Sequence, residues 1–339
     1  MTETIVPSRP LMEEPATPRK LKSKRDRGDT VFTRGALASG LVVLGTMAAV
    51  GVFLGIRATD ALRVAHFSFL TTAAWQPDRG VFGISAVMTG TIMIALVAVA
   101  ISLPISLGTS LFIVEIAPAR IRSWLVALVD LMAAVPSVIY GLWGALFFQG
   151  SVVGLSQWIA TWFGWIPIFH VKGYKSGSPL STTTVFTAST FIAGIVVALM
   201  VIPIQTSIMR EVFSQVPPGE REGAFALGAS RWGMIRIVSL PFGRGGIIGG
   251  TMLGLGRALG ETIAVYLIIS PRFDVNFHIL EAGSNSVSSL IALRFGEASG
   301  LGLSALMAAG LALFALTLIV NFTASIFVAR SRSGAASEA

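Results

Sequence analysis

The chain has 339 residues (35.7 kDa), of which 53% are apolar and only 12% charged; its net charge is +8 and its mean hydropathy +0.77. A soluble domain carries roughly 25% charged residues, so there is too little charge here to clothe a globular surface, and disorder is excluded on the same ground except at the ends. The absence of cysteine excludes disulfides, thiolate nucleophiles and thiolate metal sites, and three scattered histidines without an HExxH pattern speak against a zinc enzyme. What remains is an all-α polytopic membrane protein with no metal and no cofactor expected.

The first 34 residues are polar, with prolines at 7, 10, 15 and 18 and a basic cluster from Arg19 to Arg25. They read as a disordered cytoplasmic tail that helps to set topology. Spanning a bilayer takes about 20 mainly apolar residues in a helix. Six stretches qualify: Gly35–Ile56, Ile84–Val114, Ser123–Phe148, Val185–Met209, Ile247–Ile269 and Leu301–Val328. The apolar core of the first is too long for a signal peptide, and no small-residue cleavage site follows it, so it reads as a retained helix. The second is too long for one straight span and is expected to kink at Pro104 or to extend into the headgroups. Glu115 then falls in the adjoining interface. In the third, Asp130 lies about 10 Å in from Ser123 at 1.5 Å per residue, near the inner interface, where it meets a basic residue or a helix end or else takes part in a substrate path, and Pro136 should kink the helix.

After the third span, Trp158, Trp162 and Trp165 recur at helical spacing. They predict a helix lying in the outer interface, with indoles at headgroup depth; the residues from Gly173 to Pro179 form a polar turn. His66, His170 and His278 share no pattern and receive no role. The fourth span leads into VPPGEREGAFALGASRWGMIRIVSLP, from Val216 to Pro241. Pro217, Pro218 and Gly219 break the chain. Glu220 and Glu222 then suit the first turn of a short helix, where the dipole favours acids, and Gly228 permits a tight bend. A second amphipathic piece carrying Trp232, Ile235, Ile237 and Val238 is expected to end before Pro241.

The fifth span reads GRGGIIGGTMLGLGRALGETIAVYLII. In one continuous helix Arg257 and Glu261 share a face, about 15 Å from Ile247 for the former, near mid-membrane. Gly246, Gly250 and Gly254 fall on the same side and would let another helix approach closely. A charge at this depth costs roughly 2.5–3.5 kcal/mol on insertion scales and points to function. Two readings compete: an internal ion pair holding helices in register, or an anion site in which Arg257 presents its planar fork to oxyanion oxygens. Glu261 suits the second if the anion carries a proton, as phosphate does at neutral pH and sulfate does not. The string from Gly254 to Gly260 is no nucleotide loop, because no strand precedes it, and no G-x-x-x-x-G-K-[ST] occurs anywhere. ATP hydrolysis would belong to another subunit.

Orientation follows the basic residues. With a sixth span near the end, the first 34 residues, the loop 115–122, the region 210–244 and the tail hold seventeen Lys and Arg, against seven in the alternate loops. The basic side is expected to be cytoplasmic, with both termini inside.

The Val216–Pro241 segment resembles the EAA motif of ABC-importer permeases. Glu222, Gly223 and Ala224 are followed after three residues by Gly228, and nine residues later by Val238, Ser239, Leu240 and Pro241; Gly223 replaces the middle alanine and Val238 an isoleucine. Together with WQPDRGVFGI (75–84), the Gly90–Thr91 pair, VPSVIYGL (135–142) and above all GLGRALGET (254–262), the chain from about His66 to Arg330 resembles phosphate-specific ABC-importer permeases of the PstC type. That resemblance implies a type I importer architecture, with a transmembrane permease domain over 35–330, a coupling loop within 210–244 and a short tail at 331–339. It implies a PstA-like second permease, two copies of a PstB-like ATPase that receive the coupling loop, and an external PstS-like phosphate-binding protein. It makes Arg257 and Glu261 the residues important for transport, in a bacterial plasma membrane. Sulfate or molybdate permeases, an ATP-independent anion carrier and a signalling scaffold are the competing readings; no nucleic-acid partner is expected. A reporter active only in the cytoplasm should work when fused after Val328 and fail when fused within 173–179; the reverse result would overturn every side assigned here.

Overall fold

The computed structural model describes residues 27–174 and 183–331. The basic cluster at 19–25, residues 175–179 of the polar turn and the tail beyond 331 lie outside the described residues. The chain divides at Val50 into two units. The first contains most of α1 (Arg27–Arg57), a helix already formed at Arg27 rather than at Gly35. Asp29 in its first turn and Arg57 in its last match the helix dipole at both ends.

The second unit starts within α1 and continues through α2 (Thr59–Ala65) and α3 (Ser68–Thr71) into a small hairpin. Its strands, β1 (Trp75–Gln76) and β2 (Val81–Phe82), pair antiparallel with Trp75 opposite Phe82. Gly80, at φ +69°, makes the turn. Phe82 is buried edge-on against Phe69 and Trp75, at 6.2 and 6.3 Å between ring centres. The helix α4 (Ser85–Leu111) follows, runs through Pro104 without interruption, and ends in a wide π turn at Phe112–Ile116.

Two expected spans are divided. The third stretch, drawn over Ser123–Phe148, is cut at Val135, whose extended backbone (ψ 126°) ends α5 (Ala119–Ala134). Pro136 does more than kink a helix here. It forces the preceding residue out of the helical region and opens a new helical run. That run is α6 (Ser137–Trp143), a π turn at Gly144–Phe148 and α7 (Gln149–Phe163). Trp158 and Trp162 therefore belong to the end of this run and not to a separate interfacial helix, and Trp165 follows that end. All three are exposed, as suits an aromatic belt.

The central helix α8 (Thr190–Ser214) has 67% of its most apolar 18 residues buried. It leads to α9 (Pro218–Ala226), α10 (Arg231–Met234) and a π turn at Ile235–Ser239, from which α11 (Leu240–Gly260) continues. The expected stop before Pro241 is absent. An α-helical proline crowds the carbonyl four residues earlier; that carbonyl, of Ile237, lies inside the wide turn. The fifth stretch is the second to be divided, because α11 ends at Gly260 and α12 (Ile263–Ile268) starts after a break at Glu261–Thr262. The chain closes with α13 (Val287–Arg294) and α14 (Gly300–Ser331). By length and composition, five helical runs among the described residues can cross a membrane: 28–57, 85–116, 137–163, 190–214 and 300–326. The glycine-rich, broken fifth stretch is not among them.

Lipid tails are as apolar as leucine, so helices in a bilayer associate through close packing and small residues. The packing of α11 on α8 follows this rule. Gly243, Gly246, Gly250 and Gly254 are all buried along one stripe. A Cβ at Gly246 would stand 2.5 Å from Val212 Cγ2, and one at Gly254 would run into Gln205 and Val201. Gly141 does the same for α6, where a Cβ would meet the Cα of Ala264 at 2.8 Å. Gly90 lets α4 approach the carbonyl of Asn285, and Thr91 accepts a hydrogen bond from the Val287 amide at 3.0 Å. Overpacking a filled site costs about 1–3 kcal/mol. Gly246→Val should therefore lower the thermal midpoint of the detergent-solubilised protein, whereas Gly249→Ala, where a Cβ meets nothing within 4 Å, should leave it unchanged.

Candidate functional site

The structure places the sequence-predicted residues in two groups. The first is the loop between α8 and α11. Glu222 and Gly223 lie exposed on α9, while Ala224 packs under it beside Met234, Phe213 and Val114. A Cβ at Gly223 would meet nothing within 4 Å, so glycine in place of the motif's middle alanine changes no packing. Gly228 sits at φ +84°. The amide of Gly228 donates to the Phe225 carbonyl and that of Ala229 to the Ala224 carbonyl. This is the hydrogen-bond pair of a Schellman motif, which satisfies the last carbonyls of a helix and reverses the chain. Ser230 then caps α10 by accepting from the Gly233 amide at 3.2 Å. Leu240 joins the same apolar cluster, and Pro241 is exposed in the first turn of α11. Outward, the loop presents Leu227 at 90% exposure, with Trp232, Ile237 and Phe225 also exposed.

Sequence reasoning missed what holds this loop down. Glu115, on the π turn that ends α4, has a side chain only 4% exposed and pairs with Arg221 of α9 at 3.3 Å. Ser239, on the π turn that precedes α11, donates to the same carboxylate oxygen at 2.9 Å. Arg221 also donates to the Phe213 carbonyl at the end of α8, at 2.8 Å. One buried carboxylate therefore gathers α4, α9 and the start of α11, with α8 reached through Arg221. The only sequence signal was an acid at the end of an apolar run.

The second group is the pair expected within the membrane, and here the expected geometry is corrected. Arg257 and Glu261 do not share a helix face, because the helix ends between them. Glu261 is 8% exposed, with φ −66° and ψ 126°. Its Oε1 accepts from the Ala264 amide at 3.3 Å, so the carboxylate caps α12, where the helix dipole favours an anion. Its backbone carbonyl accepts from Ser288 Oγ at 2.7 Å. Arg257 lies in the last turn of α11, three residues beyond Gly254, the last glycine of the buried stripe, and is exposed. Among the described residues it has no hydrogen bond and no ion pair, and Glu261 Oε2 accepts none. Asp130 is likewise exposed on α5 without a partner among the described residues, on a helix with no buried residue.

The sequence profile of the family described as "Binding-protein-dependent transport system inner membrane component" matches residues 113–333. The chain belongs to this family. The matched region begins with the π turn that ends α4 and takes in Glu115, the whole loop between α8 and α11 and the broken fifth stretch. Within the family, the phosphate transport system permease protein PstC 2 of Mycobacterium tuberculosis is 36% identical over 304 residues, covering 88% of this chain and 91% of that one. PstC of Pasteurella multocida is 38% identical over 303 residues, covering 89% and 92%. A crystal structure of a bacterial ABC transporter involved in the import of the acidic polysaccharide alginate has a chain of the same fold, with a TM-score of 0.54 at 18% identity, covering 90% of this chain and 99% of that one. The chain is thus a multi-pass membrane permease subunit of the ABC-importer type, working with other components.

A β-branched residue in the left-handed region is strained by roughly 1–3 kcal/mol. Gly228→Val should therefore open the α9–α10 turn and speed hydrogen exchange at the amides of 228 and 229, while Gly223→Ala should leave exchange there as it is.

Proposed function

We propose that this chain is the permease subunit of an ATP-driven phosphate importer in a bacterial plasma membrane, with both termini cytoplasmic and the basic tail on that side. It works beside a PstA-like permease, over two PstB-like ATPases, and receives phosphate from an external PstS-like binding protein. It hydrolyses no ATP itself. The observation that carries the reading is Arg257: an exposed guanidinium in the last turn of the glycine-rich α11, without a partner among the described residues, in a chain more than a third identical to phosphate permeases over most of its length. An unpaired cation at membrane depth has to face protein or a water-filled path. The exposed face carrying Arg257 is therefore assigned to the boundary with the second permease.

In this reading the guanidinium meets phosphate through its paired N–H groups. Glu261, held by its cap on α12, keeps Oε2 available to accept the proton of a protonated phosphate, which sulfate lacks. Coupling runs through the loop containing Glu222, Gly223, Ala224 and Gly228, with Leu240 and Pro241 carrying the movement into α11. The exposed Leu227, Phe225 and Trp232 supply the apolar contact for the ATPase groove. Arg257→Lys keeps the charge and loses the fork; with hydrogen bonds to charged groups worth about 1.5–3 kcal/mol, labelled phosphate uptake by the reconstituted complex should fall about 10- to 100-fold at unchanged membrane abundance. Uptake near normal in that variant would remove Arg257 from the substrate path. Sulfate and molybdate should fail to compete with phosphate in the parent.

A further inference from the structure

Beside the coupling loop lies a second concentration of positive charge that the transport path does not use. A cavity of about 240 Å³ opens between the end of α4, the start of α5, the end of α8 and α9. Three arginines from three different elements line it: Arg122, Arg210 and Arg221, with Glu211 the one acid of the lining. A water occupies about 30 Å³ of liquid, so the space is roomy for solvent alone.

The hydrogen bonds inside leave donors to spare. Arg122 donates to the Val114 carbonyl at 2.8 Å. Arg210 reaches only Ser207 Oγ, at 3.4 Å. Arg221 uses one terminal nitrogen on the Phe213 carbonyl and Glu115, while its buried Nε–H has no partner. Each guanidinium carries five N–H groups in a rigid fork. Charge is unbalanced too. Glu115 offsets Arg221, and Glu211, which meets the Gln215 side chain at 3.4 Å and forms no ion pair among the described residues, offsets at most one of the other two. One positive charge is left over in a cleft whose remaining walls include the apolar Ile113, Val114 and Val126.

We propose that this cavity is a binding site for a phosphate group, held by Arg122, Arg210 and Arg221 at the coupling-loop end of the bundle. Forked donors from three directions match the tetrahedral oxygens of a phosphate better than a planar carboxylate. Basic pockets between helices at the cytoplasmic side are also where anionic lipid headgroups settle, and the apolar walls suit the start of a lipid's acyl chains. Since α9 contributes Arg221, occupancy fastens the coupling helix to α5 and α8. The site is separate from Arg257, and its existence does not depend on what crosses the membrane there.

The test uses the full-length chain in nanodiscs of phosphatidylcholine. One arm adds phosphatidylglycerol and counts retained lipid by native mass spectrometry. The other titrates inorganic phosphate and follows the thermal midpoint. Retention of either probe is expected, and the arm that responds names the source. Arg210→Gln, which removes a side chain making only one weak contact, should weaken the response about tenfold. Glu211→Gln, which removes the opposing charge, should strengthen it about threefold. In an Arg257→Gln background, which removes the proposed phosphate contact of the transport path, Arg210→Gln should still weaken the response about tenfold, which separates this site from that path. If neither probe is retained, or if Arg210→Gln and Glu211→Gln both bind like the parent, the assignment is overturned.

Discussion

The contact on which the rest of this molecule depends is the close approach of α11 to α8 along Gly243, Gly246, Gly250 and Gly254. Both helices are apolar, and a bilayer gives apolar helices no solvent-driven reason to associate. What holds them is the dispersion gained when backbones come near, and the stripe admits that only because no Cβ stands in the way. Once α11 is seated, Arg257 is left exposed one turn beyond the last glycine of the seam, and Gly260 brings the helix to its end. Glu261 then has somewhere to go: inward, onto the start of α12. The pair that looks like one motif in the sequence becomes two parts with different duties, one presented outward and one fixed within.

Breaks of this kind are costly in lipid, because each free amide or carbonyl lacks water. The chain covers the one at 261–262 locally. The Glu261 side chain takes the Ala264 amide, Ser288 takes the Glu261 carbonyl, and Gly141 lets α6 lie close against α12. The strings that carry the family resemblance are therefore neighbours in space. VPSVIYGL supplies the helix that covers the break in GLGRALGET, and the Gly90–Thr91 pair anchors the segment that brings in Ser288.

The helical class, the spacing of the glycines, the bend at Gly228 and the placing of the loop between α8 and α11 were all legible in the sequence, because each follows from a local rule. The corrections also have local causes. Gly260 followed by Glu261–Thr262 and an apolar run is a readable stop and start, but the longer apolar pattern outweighed it. Val135–Pro136 reads as a kink or a break, and only the full break shifts the next run by half its length and carries the three tryptophans with it. Pro241 reads as a stop because the wide turn before it has no sequence signature. The Glu115–Arg221–Ser239 junction could not be read at all, since Glu115 stands more than a hundred residues from both of its partners and each alone resembles an ordinary interfacial side chain.

That junction fixes how the loop behaves mechanically. A hairpin of short helices tethered only by its ends would be compliant, and a push on it would be spent in bending. Here α9 is closed by a Schellman turn, α10 is capped by Ser230, and a buried carboxylate rivets the assembly to the ends of α4 and α11. The loop is a stiff lever with a short arm. A push at Leu227 would then be felt at the ends of α4 and α11 together, because both meet α9 at one buried carboxylate.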